Sequence, residues 1–121
     1  MIQEKTPFEL GKSGEEAAIR YLKNNKFRII ERNFHFFKGE IDIIAYDQKT
    51  LVFMEVKTRR SKDFGPPEES VTPSKQRQIK RIAQAFLAKN NLQDVECRFD
   101  VISLSYNKNE GYSINHFKNA F

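Results

Sequence analysis

Two strand-like runs joined by a short polar turn constrain the fold of this chain more than any other feature. Residues 40–46 and 51–58 are rich in aliphatic side chains, and the segment DQKT lies between them. This pattern is typical of an antiparallel hairpin. A loop of residues 48–49 or of residues 47–50 gives the same register, in which the numbers of paired residues add to 97. Asp42 then lies directly opposite Glu55.

Strand side chains alternate between the two faces of a sheet, so the register also predicts which residues share a face. The first face is predicted to carry Glu40, Asp42, Ile44, Tyr46, Leu51, Phe53, Glu55 and Lys57. The second face is predicted to be entirely apolar and to carry Ile41, Ile43, Ala45, Val52, Met54 and Val56.

The predicted pair of acids is unfavourable unless something offsets its charge. Carboxylates directly opposite each other have Cβ atoms about 5 Å apart, where like charges destabilise the strand pair. A hard divalent cation with oxygen ligands is one solution, and a raised pKa on one acid is another. A structural ion-pair cluster is the third, since Lys57 follows Glu55 on the same face and lies opposite Glu40. The residues alone leave these alternatives open.

Capping signals predict the helices that surround the hairpin. Thr6, Pro7 and Glu9 predict a helix that continues to about Asn25. A proline-rich loop at 65–73 ends in a second cap and proline, and the helix that follows has apolar residues at helical spacing. These residues are Ile79, Ile82, Ala83, Phe86 and Leu87.

Three further strands complete the predicted fold. They are expected at 27–37, 96–105 and 111–117, the last two joined through 107–110. The order is helix, three-stranded antiparallel meander, helix and two further strands, which gives an α/β fold with a mixed sheet. A chain of 121 residues has the length of one domain, so residues 1–121 are expected to form a single unit with one site.

The first helix carries an acidic residue on its inward side. Glu15 is three and seven positions from Ala18 and Leu22, so it is predicted to point toward the protein, whereas Glu16 is predicted to face water. The neighbouring Gly11 and Gly14 are expected where another backbone approaches closely.

Composition limits the classes of function and the compartment. The 21 Lys and Arg against 16 Asp and Glu give a net charge of +5, which favours polyanionic partners. The single Cys97 cannot form an intramolecular disulfide and is expected in the core, which favours a reducing compartment. No apolar run approaches a membrane span and the first residues lack a signal peptide. We therefore expect a cytoplasmic protein without membrane contact.

The spacing D-x(12)-E-V-K resembles the PD-(D/E)xK signature of restriction-endonuclease-like nucleases, which include Holliday-junction resolvases. Over nearly the whole chain, an ordered set of segments is more closely similar to the YraN family of small bacterial proteins within that superfamily. These segments are GKSGEEAAIRYL, NFHFFKGEIDIIAYD, LVFMEVKTRR, FGPPEESVTPSKQRQI, FDVISL and HFKNAF. Ile41 replaces the superfamily's proline before Asp42, as an aliphatic residue does in the YraN pattern.

The resemblance implies a restriction-endonuclease-like core and a metal-dependent nuclease. It implies that Asp42 and Glu55, with the main-chain carbonyl of Val56, bind Mg²⁺ or Mn²⁺, and that Lys57 orients water and neutralises charge on the phosphate. Glu15 matches the helix-borne acid of the resolvase-like members, which adds it to the implied metal ligands and catalytic residues. Such enzymes cleave DNA, with branched or flapped DNA favoured here, and action on a symmetric junction requires a homodimer. The alternative is a non-catalytic nucleic-acid-binding or assembly protein that retains the fold.

Basic residues follow the predicted site along the chain. The candidate DNA contacts are Arg59, Arg60, Lys75, Gln76, Arg77, Lys80 and Arg81, and no acid occurs between Lys75 and Lys89. This asymmetry favours a phosphate-binding face, while an ordinary solvated helix face is the alternative. Lys75 and Gln76 belong to the first turn of the helix, from which they can reach the predicted site. His35 and His116 are expected to be partly exposed pairing residues rather than ligands.

Overall fold

The predicted order of elements is confirmed by a computed structural model that describes residues 5–60 and 71–121. Most of the predicted proline-rich loop lies outside the described residues. The helices are α1 (Pro7–Asn24) and α2 (Pro73–Lys89). The strands are β1 (Arg28–Phe36), β2 (Gly39–Asp47), β3 (Thr50–Arg60), β4 (Cys97–Asn107) and β5 (Gly111–Phe117).

Both helices begin at the predicted caps. The hydroxyl of Thr6 accepts a hydrogen bond from the Glu9 amide at 3.1 Å, and the Glu9 carboxylate accepts one from the Thr6 amide at 3.4 Å. At α2 the hydroxyl of Thr72 accepts from the Lys75 amide at 3.2 Å. These bonds satisfy amides that have no partner within the helix, and they fix where each helix starts.

The strands form one sheet in the order β1-β2-β3-β4-β5, in which only β3 and β4 are parallel. The helix α2 is the crossover between these two strands, and α1 folds back along β1. The β1–β2 turn, the end of β3 and the first turns of both helices therefore lie at the same end of the sheet. We call this end the site edge.

Each face of the sheet is covered by one helix. Leu22 of α1 packs with Met54 and Ile102 on one face, and Phe86 of α2 packs with Phe53 and Val101 on the other. Each such buried side chain contributes roughly 1.5–3 kcal/mol relative to an exposed one. The sheet is thus apolar on both faces, and polar side chains inside it are exceptions that call for an explanation.

The hairpin register is confirmed from Ile43 paired with Met54 to Asp47 paired with Thr50, leaving Gln48 and Lys49 as the loop. The observed pairing of β2 with β3 begins at Ile43 and does not include Asp42 with Glu55. The two strands therefore separate toward the site edge.

The predicted division of β2 between two faces is wrong at Ile41. Ile41 packs in the α2 core with Ile44, while Ile43 packs in the α1 core. On β1, Asn33 has a left-handed φ of 52° between the pairs Arg32 with Ile43 and Phe34 with Ile41, so it lies opposite Asp42. This irregular backbone coincides with the interrupted alternation, and Asp42 occupies the position where β2 changes face.

Two glycines of α1 differ in their surroundings. A side chain on Gly14 would collide with Thr58 of β3, so this glycine permits the close approach of α1 to the sheet. Gly11 has no neighbour within 4 Å of the position where a Cβ would stand, so close approach does not explain it.

Two predictions about single residues are wrong. Cys97 is exposed at the start of β4, where its thiol donates to the Val95 carbonyl at 3.5 Å. The side chain of His116 is less exposed than expected, at 4%, because it bonds the buried Asp100 at 2.7 Å and the Tyr21 hydroxyl at 3.0 Å. His35, by contrast, is exposed on β1, as expected.

Asp100 is the centre of a polar network within the sheet. Arg98 binds it through two nitrogens at 2.9 and 3.0 Å, and the Asn119 amide donates to it at 2.9 Å. Burial raises the pKa of Asp100, but the hydrogen bonds from His116, Arg98 and Asn119 outweigh it and hold the pKa below its usual value.

In the part of the chain that the structure describes, no helix is long and apolar enough to cross a membrane.

Candidate functional site

Asp42 lies where β2 and β3 separate, and the main chain of β3 holds its side chain. The Val56 amide donates to Asp42 Oδ2 at 2.8 Å. The pKa of Asp42 is raised to about 6, mainly by burial. The Val56 amide and the charge of Lys75 lower this pKa, whereas a shared hydrogen bond and charge repulsion with Glu40 raise it. Asp42 is therefore a carboxylate that lacks full compensation by the protein's own charges.

Glu55 approaches the same point from β3. Only 5% of this residue is exposed, and burial is the main cause of its raised pKa, followed by the charge of Asp42. Two lysines act in the opposite direction, with Nζ of Lys57 at 3.4 Å and Nζ of Lys75 at 3.7 Å from Glu55 Oε1. Glu55 therefore contacts Lys57 of its own strand and Lys75 of α2, and it lies within electrostatic range of Asp42.

Glu15 brings a third acid to this group from the opposite side of the sheet. It is half-buried on α1, and its pKa is raised first by burial and then by the charge of Asp42. Its partner on β1 is Asn33, whose hydrogen bond lowers that pKa. The neighbouring Glu16 bonds Arg32 at 2.8 Å at the surface, so the two glutamates point in the directions that helical spacing predicts.

The break in alternation explains how acids from both faces meet. Asp42 lies at the face change, and it interacts electrostatically with Glu55 on the α2 side and with Glu15 on the α1 side. A regular strand would confine Asp42 to one face. The irregularity at Asn33 therefore belongs to the construction of the site.

The donor set suits a hard divalent cation, but it is sparse. Carboxylate oxygens are the ligands that Mg²⁺ prefers. Positive charge beside Asp42 and Glu55 would offset the burial that raises both pKa values and the charge of Asp42 that raises the pKa of Glu55 further. Within residues 5–60 and 71–121, no three His, Cys, Asp or Glu side chains are grouped closely enough to hold a metal by themselves. The two acids would therefore need main-chain or water oxygens as well, and the Val56 carbonyl stays a predicted ligand.

The predicted DNA-contact residues of α2 divide into three environments. Lys75 contacts Glu55, and it lines a polar cleft beside Arg77 and Arg81. Gln76 turns away from the acids, because its amide donates to the Val71 carbonyl at 3.0 Å. Lys80 lies over two aromatic rings, with its Nζ 5.7 Å from the ring centroid of Phe99 and 6.0 Å from that of Phe121.

The two arginines at the end of β3 lie at the site edge. Arg60 donates to the Lys5 carbonyl at 2.6 Å, which connects β3 to the segment that precedes α1. Arg59 follows Lys57 by two residues on the same strand and is partly exposed. Both positions flank the acids rather than joining them.

Two site residues were not recognised in the sequence as parts of the site. Asn33 carried a usable signal, because Asn is among the residues that adopt left-handed conformations most readily. Glu40 was predicted opposite Lys57, but it bonds His35 at 3.1 Å and shares a hydrogen bond with Asp42. Because β2 and β3 are no longer paired at Asp42, Glu40 does not lie opposite its predicted partner Lys57.

Comparison with known proteins identifies the family. The sequence model of the Uncharacterised protein family UPF0102 matches residues 14–104. A UPF0102 protein of Geotalea uraniireducens is 52% identical over 112 residues, which cover 93% of this chain and 88% of the relative. One from Caldicellulosiruptor saccharolyticus is 49% identical over 114 residues, covering 93% and 97%. One from Prosthecochloris aestuarii is 44% identical over 120 residues, covering 95% and 94%.

Proposed function

Because this chain belongs to the Uncharacterised protein family UPF0102, whose name states no activity, we propose a function from the site: a metal-dependent nuclease that hydrolyses phosphodiester bonds in DNA. One observation carries the proposal. Acids from both sides of the sheet, Asp42, Glu55 and Glu15, interact beside Lys57 at one edge of the sheet. The sequence resemblance to PD-(D/E)xK nucleases concerns the same residues.

Asp42 and Glu55 would hold the cation, Mg²⁺ or Mn²⁺. When bound, such an ion stabilises negative charge on the phosphate and lowers the pKa of coordinated water. The protein contributes two carboxylates whose orientation is fixed, one by the Val56 amide and one by burial among lysines.

The other residues of the site bind the phosphate and handle a proton. Lys57 and Lys75 each present an ammonium group beside Glu55, where it can donate to a phosphate oxygen and neutralise developing charge. Glu15 has a raised pKa, which makes its carboxylate a stronger base than that of an ordinary glutamate and suits it to accept a proton from the attacking water. Hydrolysis by water then needs no protein nucleophile.

DNA would approach along the site edge. The first turns of both helices point there, and backbone amides at helix N-termini favour phosphate. The cleft beside Lys75, Arg77 and Arg81 continues this basic surface along α2. Branched or flapped DNA is the proposed substrate, and a two-fold dimer would place two such sites on a symmetric junction.

A non-catalytic nucleic-acid-binding or assembly protein is the second candidate. It is favoured by the pairing of Glu55 with two lysines, which partly neutralises this acid without a metal. The acidic residues would bind a metal for catalysis under the first function and would be purely structural under the second. Variants of Glu55 and Lys57 therefore distinguish the two functions.

The experiment measures DNA binding in EDTA and cleavage in Mg²⁺ and in Mn²⁺ on the same preparations. Glu55→Ala and Lys57→Ala are expected to abolish cleavage. Lys57→Ala should lower metal-free affinity only by the loss of one phosphate contact, and Glu55→Ala should leave it unchanged or slightly higher, since it removes a negative charge. Wild-type protein that binds DNA without cleaving it in either metal would establish the second candidate.

A further inference from the structure

The turn between β1 and β2 presents a phenylalanine to solvent. Phe37 is 90% exposed and has a φ of 55°, in the left-handed region. Its ring meets the half-buried Phe36 edge to face, with centroids 4.5 Å apart and an interplanar angle of 68°. Phe36 packs against the α2 core, so it provides a fixed support for the exposed ring.

Folding does not explain a phenylalanine at this position. Left-handed backbone is unfavourable for a bulky side chain, and Gly or Asn adopts it at lower cost. Burial brings little in return, because most of the ring stays in water. The structure therefore accommodates Phe37 at a conformational cost that a more common turn residue would avoid.

The position of Phe37 relates it to the proposed site. Gly39 begins β2 two residues later, and Asp42 follows three residues further, roughly 10 Å along the strand at about 3.4 Å per residue. A second exposed aromatic residue, Phe8, is 78% exposed and lines a cleft with Glu15 and Arg32. Within the described residues, both strongly exposed aromatic side chains thus lie at the site edge.

We propose that Phe37 stacks on an unpaired nucleobase of the substrate beside the phosphate that is cleaved. An aromatic ring with one free face binds a base of any sequence, and the exposed Lys38 that follows provides charge for the adjoining phosphate. Bases inside a duplex are already stacked on their neighbours, so the ring selects nucleic acid with unpaired bases. This inference rests on the proposed function and names the feature of the substrate that the site edge recognises.

The test measures binding in EDTA, where no metal-dependent cleavage occurs. Single-stranded oligonucleotides that contain 2-aminopurine and a duplex of the same length are titrated with wild type, Phe37→Ala and Phe37→Trp. We expect Phe37→Ala to bind the single strand roughly tenfold more weakly, as for loss of one stacked base, and the duplex within about twofold of wild type. Phe37→Trp should restore both the affinity and the quenching of 2-aminopurine.

Two controls separate stacking from general effects. Ile30→Ala removes an apolar side chain that is 40% exposed near the opposite end of β1, and it should leave both affinities unchanged. Phe37→Asn should melt at or above the temperature of wild type, because Asn relieves the left-handed strain. A lower melting temperature would show that the fold requires Phe37 and would overturn the argument for stacking.

Equal single-strand affinity of wild type and Phe37→Ala would overturn the proposal, as would an equal loss for duplex and single strand. A self-association that Phe37→Ala abolishes, without a change in single-strand affinity, would assign the ring to a protein interface instead. Failure of the nuclease proposal is distinguishable, since it appears as absent cleavage in Mn²⁺ and leaves the binding measurements in EDTA unaffected.

Discussion

Replacing Asp42 with Asn should stabilise the metal-free protein at neutral pH. The pKa of Asp42 is raised from 3.8 to about 6, and at 1.36 kcal/mol per unit its ionisation destabilises the fold by at most about 3 kcal/mol. Solvent reaches part of this carboxylate, and Asn can still accept the Val56 amide, so we expect a gain of about 1–2 kcal/mol. The melting temperature should rise by roughly 4–8 °C.

The sign of the pH dependence follows from the raised pKa. Below pH 3.8 the carboxyl is protonated in both the folded and the unfolded chain, so its contribution to stability is fully present. That contribution is lost as the pH rises through about 6, because the fold then holds an unfavourable charge. The advantage of Asp42→Asn should therefore be complete at pH 8 and much smaller at pH 4.5.

Guanidinium unfolding in EDTA at these two pH values measures the difference. Asp47→Asn on the same strand is the matched control; it removes an ion pair with Arg98 at 3.0 Å and should cost no more than about 1 kcal/mol. If Asp42→Asn is instead less stable than wild type at pH 8, the acids form a favourable structural cluster and the reasoning is wrong.

Three further predictions concern stability and charge. Asp100→Asn should lower the free energy of unfolding by about 3 kcal/mol at pH 7, because the buried partners of Asp100 lose its charge. Since the pKa of Asp100 is lowered, urea unfolding should show this difference shrinking as the pH falls below the usual pKa of an aspartate. Replacing Arg77, Lys80 and Arg81 with Ala should weaken DNA binding and reduce the slope of log affinity against log salt by about 0.9 per lost phosphate contact, measured by anisotropy. Mn²⁺ should raise the melting temperature of wild type, and a smaller rise in Asp42→Asn would show that this acid binds the ion.

Local sequence signals predicted most of the fold. Capping by Thr6 and Thr72 fixed the helix starts, and the apolar runs around residues 48–49 fixed the hairpin register. These features depend on neighbours in the chain, which is why the sequence alone was sufficient. For the same reason, helical spacing correctly predicted that Glu15 points toward the protein.

The errors arose where distant segments decide the structure. The face change at Ile41 coincides with the left-handed Asn33 of the neighbouring strand, and the residue pattern of β2 itself contains no sign of it. His116 was misjudged because the buried Asp100 lies on a different strand. For the first turn of α2 the sequence was half right: Lys75 reaches Glu55 as predicted, whereas the Gln76 amide bonds the Val71 carbonyl instead.

Cleavage of a DNA panel tests the central claim most directly. Linear, flapped and four-way DNA are incubated with wild type, Asp42→Asn and Asp47→Asn in Mg²⁺, Mn²⁺ or EDTA, and initial rates are measured. The predicted result is metal-dependent cleavage by wild type and Asp47→Asn, with higher rates on branched or flapped DNA. The cleavage rate of Asp42→Asn should be at least a hundredfold lower, which corresponds to about 2.7 kcal/mol of transition-state stabilisation. Equal cleavage by Asp42→Asn and wild type, or no cleavage by wild type in either metal, would contradict the assignment of this site to a nuclease.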